Sequence, residues 1–79
     1  MARIIDGGRC NITGVRIKEA RQSAGLSQKA LSEKLEMRAV YVCRGSVSCI
    51  ESGERTVTDI EIEAISKALN VSLDFLFGR

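Results

Sequence analysis

Two short segments with a helical period constrain this chain most: Leu26-Ser-Gln-Lys-Ala-Leu-Ser-Glu-Lys-Leu35 and Arg44-Gly-Ser-Val-Ser-Cys-Ile-Glu-Ser-Gly53. In the first, Ala30, Leu31 and Leu35 share one face and Lys29, Glu33 and Lys34 the other, as an amphipathic helix requires. Ser27 is its natural N-cap, because its hydroxyl accepts from a free first-turn amide. In the second, Val47 and Ile50 point inward, three residues apart. Arg44, Gly45, Ser48 and Cys49 then lie on the exposed side or its edges, and Gly53 closes the helix.

The remaining elements follow from local signals. Residues 1–13 carry Arg3, Gly7-Gly8 and Arg9 without a helical period and read as an arm, mobile at its tip. Residues 14–79 are then the folded domain. Thr13 is placed to cap a first helix over 14–24, with Ile17, Ala20 and Ala24 inward and Gly25 at its end. Helix two is expected to end between Leu35 and Arg38. The segment 36–42 either extends it or forms a long turn, with Val40 or Val42 tucked into the core. Helix three starts near 43–45 and ends at Ser52. Thr58-Asp-Ile-Glu61 is a capping box, the clearest helix start in the chain. It opens a fourth helix whose buried stripe reads Ile60, Ala64, Ile65, Ala68 and Leu69, and Asn70 ends it. Ser72 caps a last turn, Leu73–Phe77. The expected class is all-α, with five short helices. The absence of proline and the presence of only two phenylalanines and one tyrosine favour it over a sheet protein.

Seventy-nine residues make one small domain with room for one modest core and none for a separate sensing domain. The net charge of +2 is unevenly placed. Residues 1–55 hold ten Lys/Arg against six Asp/Glu, and residues 56–79 two against four. The front is thus mildly basic, as a phosphate-facing surface needs, or simply carries ordinary surface charge. Cys10, Cys43 and Cys49 form no even framework, and without histidine a zinc site lacks a fourth protein ligand within one subunit. Reduced thiols, no metal, no cofactor and a cytoplasmic setting are expected. There is no run of transmembrane length and no leader pattern. No carboxylate pair or nucleophile stands beside a base, which argues against an enzyme.

Two such helices, the second with a polar outer face, suit a helix-turn-helix reader of duplex DNA. Gly-Leu-Ser-Gln, then Ala-Leu-Ser-x-x-Leu, Val-Ser-x-Ile-Glu-x-Gly and Ala-Leu-Asn-Val-Ser-Leu-Asp-Phe-Leu occur in that order. Over about residues 14–77 this order resembles the Cro/phage-repressor (XRE-type) family. The resemblance implies a five-helix lambda-repressor-like DNA-binding domain and a small bacterial or phage-type transcriptional regulator. Helix three, about 43–52, would read the major groove. Arg44, Gly45 and Cys49 occupy base-reading positions, flanked by Ser46 and Ser48. Gln28 would bond a phosphate and brace the second helix, and Arg55 and Thr56 would grip the phosphate backbone. Glu51 and Gly53 look structural.

The chain departs from the family pattern twice. The connection between helices two and three is about five residues longer than the usual tight turn and lacks its glycine. Gly45 and Cys49 also replace longer polar side chains, so Arg44 would carry most of the direct readout through its bidentate fork. Phe75, Leu76 and Phe77 either cap the core or form a two-fold interface, and the resemblance favours a homodimer. Arg3 and Arg9 read either as a minor-groove arm or as a disordered tip. Cys43 and Cys49 are either small edge thiols or an oxidation-sensitive pair beside the reading face. No small-molecule effector is indicated. The alternative function is a protein-interaction module of the same fold, antitoxin-like or polymerase-partnering, with little DNA specificity.

Overall fold

The computed structural model describes residues 8–79. They form five α-helices: α1 Gly14–Ser23, α2 Gln28–Glu36, α3 Arg44–Ser52, α4 Asp59–Leu69 and α5 Leu73–Leu76. Most starts are chemically marked. Ser27 Oγ accepts from the Ala30 amide at 3.0 Å, and Ser72 Oγ from the Phe75 amide at 3.0 Å. Thr58 and Glu61 make the reciprocal capping box, at 3.2 Å and 3.0 Å. The start of α1 differs from expectation. Thr13 makes no side-chain cap, and its buried Oγ1 has no partner. Asn11 Oδ1 instead accepts from the Gly14 amide at 2.8 Å.

All five helices stop in one way. A residue with positive φ follows each last turn, and the next amide reaches back to a carbonyl five residues earlier. Those amides belong to Leu26, Val40, Glu54, Val71 and Arg79. Four of the positive-φ positions are Gly25, Gly53, Asn70 and Gly78, and the fifth is Ala39 at φ 61°. The segment after α2 is therefore a turn, and an alanine sits where glycine is favoured. Beyond Ala39 the chain alternates. Val40 and Val42 pack inward, Ser32 Oγ donates to the Val42 carbonyl at 2.6 Å, and Tyr41 projects outward.

The core is made by Ile17, Leu31, Leu35, Val47, Ile50, Ile65 and Leu76, all essentially without exposure. Each such side chain contributes about 1.5–3 kcal/mol by leaving water. α3 lies against both α1 and α2, α4 backs α2, and α5 closes against α1 and α4. The inward stripe of α4 is Ile62, Ile65 and Leu69, whereas Ile60 is 68% exposed. Ile60 and Ile62 are about 200° apart around the helix, so one core cannot take both. Ala24, expected inward, is also exposed at the end of α1.

The arm reading changes for its last residues. Arg9 Nη2 donates to the Glu51 carbonyl at 2.8 Å, and the Cys10 amide to the Gly53 carbonyl at 2.7 Å. Residues 9–11 thus form a strap across the C-terminal end of α3, and Arg9 is not reaching outward. Arg3 lies outside the described residues.

Candidate nucleic-acid interface

α3 divides sharply into two faces. Val47, Ile50 and Glu51 are buried, while Arg44, Gly45, Ser48 and Ser52 are exposed, with Ser46 and Cys49 half-buried at the edges. A Cβ built on Gly45 meets nothing within 4 Å, so this side is open to a large partner. At the entry to α3, the thiol of Cys43, the N-cap residue, lies 3.4 Å from Ser46 Oγ. The Ser46 hydroxyl, helped by the backbone amides of Ser46 and Gly45, lowers the Cys43 pKa from its ordinary 9.0. None of the three cysteines is in a disulfide.

The buried side of α3 is fixed by charge. Arg21 of α1 donates from Nε to Glu51 Oε2 at 2.6 Å and from Nη2 to Oε1 at 3.1 Å. Its Nη1 also holds the Leu26 carbonyl at 2.7 Å. Gln28 Nε2 donates to Glu51 Oε1 at 3.2 Å, so this glutamine braces α2 on α3 from the inside. Arg21 escaped the sequence reading, although a signal existed. It stands four residues after Ile17 and next to Ala20, on the apolar stripe, where a cation needs a carboxylate partner.

The loop after α3 carries Arg55 and Thr56. The Arg55 guanidinium grips the Glu61 carboxylate at 3.1 and 2.9 Å and also donates to the Thr56 carbonyl. That hydrogen bond is the main reason the Arg55 pKa is raised and the Glu61 pKa is lowered from 4.5. Arg55 is thus a clamped side chain, whereas Arg44 projects from the open face of α3. Asn11, also missed, donates from Nδ2 to the carbonyls of Ile50 and Arg55 at 3.0 and 2.8 Å.

Two glycines answer to crowding here. A Cβ on Gly14 would sit 2.2 Å from the Ile50 carbonyl oxygen. On Gly53, at φ 84°, it would come within 2.7 Å of the Arg9 guanidinium.

The three aromatic-tail residues part company. Leu76 is a core residue with no exposure, so it is not available to an interface. Phe75 is half-buried with the Arg16 guanidinium 5.5 Å above its ring, and Phe77 is exposed. Phe77 borders an apolar groove of about 420 Å³ whose walls include Ile12, Val57 and Ile62.

A short α2, a connecting turn and an α3 with one buried and one open polar face define the helix-turn-helix class. The chain belongs to the helix-turn-helix family, whose sequence profile matches residues 17–76. Among solved structures it is similar to the restriction-modification controller protein C.AhdI from Aeromonas hydrophila. The two are 31% identical, with 82% of this chain and 87% of that chain covered and a TM-score of 0.72. It is also similar to the P22 c2 repressor protein, solved in complex with a synthetic operator. Here the identity is 29%, the coverage 84% of this chain and 92% of that one, and the TM-score 0.70. No curated protein matches the chain. The five-helix lambda-repressor-like fold expected from the resemblance is the fold observed.

Proposed function

We propose that this protein is a sequence-specific reader of double-stranded DNA, working as a small bacterial or phage-type transcriptional regulator. The open face of α3 carries the reading: Arg44, Gly45 and Ser48 face outward while Arg21 and Glu51 hold the helix from behind. Family membership and the two regulator structures support it. They do not favour the alternative of a protein-interaction module.

In this reading α3 enters the major groove and α2 crosses the backbone. Arg44 supplies the bidentate base contact, with Ser46, Ser48 and Cys49 beside it. Gly45 offers no side chain and lets the duplex approach closely. Gln28, Arg55 and Thr56 meet phosphates. The first turns of α1, α2 and α3 carry no acidic residue, whereas α4 opens with Asp59 and Glu61 and α5 with Asp74. The field at the ends of α2 and α3 thus suits an anion.

The functional unit is a homodimer that buries Phe77 and the groove beside it and reads two half-sites about one helical turn apart. It works in the cytoplasm without a cofactor, a catalytic activity or a small-molecule effector. No helix among the described residues is long and apolar enough to cross a membrane.

Selection of binders from a randomised duplex library by the reduced protein, near physiological salt, tests the reading. A two-fold symmetric enriched motif is the expected result. A folded protein that enriches nothing would overturn it. With about six phosphates neutralised per dimer, log affinity against log salt should have a slope near −5.

A further inference from the structure

We infer that Asn11 is a positioning residue for DNA recognition. It clamps the C-terminal end of the reading helix to the loop bearing Arg55 and Thr56, an inference that rests on the DNA-reading function proposed above. An asparagine side chain has two N–H donors and a carbonyl acceptor. All of this polar chemistry is engaged. Nδ2 donates to Ile50 O at 3.0 Å and to Arg55 O at 2.8 Å, and Oδ1 accepts from Gly14 N at 2.8 Å.

The two carbonyls belong to different parts of the reading unit. Ile50 lies in the last turn of α3, and Arg55 lies two residues past Gly53, where α3 has ended. One side-chain amide therefore fixes the spacing between the helix that reads bases and the loop that meets phosphate. The acceptor ties both to the first amide of α1, whose Gly14 leaves no room for a side chain against Ile50 O. Neighbouring strap residues act on the same helix end, Arg9 through Glu51 O and Cys10 through Gly53 O. Among strap residues 9–11, only the Asn11 side chain bonds both the helix and the loop.

Asn11 is not itself part of the apolar core. The buried apolar side chains come from the helices and from Val42 in the α2–α3 connection, and Asn11 lies outside them at the end of α3. Its loss should loosen the register between Arg44 and Arg55 in a protein that still folds. A base contact is worth having only when the side chain meets the base edge in hydrogen-bond geometry, so specific binding suffers most from lost register. Binding to random DNA depends on charge, which is unchanged when a neutral side chain replaces Asn11.

Two variants separate the clamp from the helix cap. Asn11→Ser keeps a short neutral acceptor for Gly14 N but cannot span the two carbonyls, and Asn11→Asp keeps the acceptor but has no donor. Native protein and both variants are titrated by fluorescence anisotropy against the duplex the native protein enriches and a random duplex of equal length. Folded fraction is checked by circular dichroism and mass by sedimentation, all at one low temperature. Folded variants of native mass should lose about tenfold or more on the enriched duplex, the size of one lost base contact. Asn11→Ser should change by less than about twofold on random DNA.

Equal affinity of folded variants and native protein on the enriched duplex would overturn the inference and leave the DNA reading standing. An altered mass, or failure of both variants to fold, would assign Asn11 to assembly or stability and overturn it equally. A native protein that prefers neither duplex would remove the DNA reading itself.

Discussion

Glu51 lies on the buried side of α3, and Arg21 of α1 holds it through two hydrogen bonds, the shorter 2.6 Å. Both side chains are almost fully enclosed, at 10% and 3% exposure. Taking two charges out of water is expensive, and the contact returns that energy only with paired geometry and further hydrogen bonds. Leu26 O and Gln28 Nε2 supply those further bonds. The pair therefore gives α3 one orientation against α1 and α2 rather than much net stability. Arg21→Met, which leaves a buried carboxylate alone, should lower unfolding free energy by about 3–5 kcal/mol in urea titration. That is a large share of the roughly 4–12 kcal/mol expected of a domain this size. The double change Arg21→Met, Glu51→Leu should recover part of the loss. Additive losses would show that the two residues act independently.

Arg44 projects from the open face, whereas Arg21 and Arg55 are occupied by Glu51 and Glu61. Arg44→Ala should weaken binding to the enriched duplex by about 1–3 kcal/mol and relax preference at one base position. Thermal stability should change little, because the side chain is exposed. Equal losses on enriched and random DNA would show that Arg44 holds phosphate and reads no base.

Ala39 adopts φ 61° to end α2, a conformation in which a Cβ crowds the following carbonyl. Ala39→Gly should stabilise the fold by about 0.5–1 kcal/mol, seen as a higher urea midpoint with an unchanged slope. The gain is the strain relieved minus the added freedom of the unfolded chain. A lower midpoint would mean that Ala39 does not sit left-handed in solution.

The Glu61 carboxyl is held below its ordinary 4.5 chiefly by the Arg55 guanidinium. A folded value below the unfolded one means that Glu61's contribution is fully present above about pH 4.5. It is lost as pH falls through the lower folded value. Unfolding free energy of the native protein should therefore decline as pH drops below 4.5 and through the lower folded value. The decline should be shallower in Glu61→Gln, which has no proton to take up there. Parallel pH profiles for the two proteins would rule out this coupling.

Leu76 and Phe77 are neighbours with opposite surroundings, one fully enclosed and one exposed beside an apolar groove. Leu76→Ala should destabilise the fold by about 2–5 kcal/mol. Phe77→Ser should leave the fold in place and shift sedimentation toward monomer. An unchanged mass for Phe77→Ser would show that Phe77 makes no two-fold contact.

The helices and most of their ends were legible in the residues alone, because capping is a matter of neighbouring residues. Ser27, Ser72 and the Thr58–Glu61 box each act within three positions, and so does Gly53 at the close of α3. The two faces of α3 were legible for the same reason, since Val47 and Ile50 define an inward side by period alone. Tertiary structure decided whatever depends on partners far along the chain. The rotation of α4 that buries Ile62 and exposes Ile60 is set by the α2 and α5 surfaces it meets. Arg21 and Glu51 are thirty positions apart, and Asn11 and Arg55 forty-four, so no local pattern pairs them. Ala39 shows the same limit in the backbone: the turn is made left-handed by inward packing of Val40 and Val42, which overrides alanine's own preference. Local hydrogen bonding is written in adjacent residues, whereas charge pairing and burial are settled only when distant segments compete for one small core.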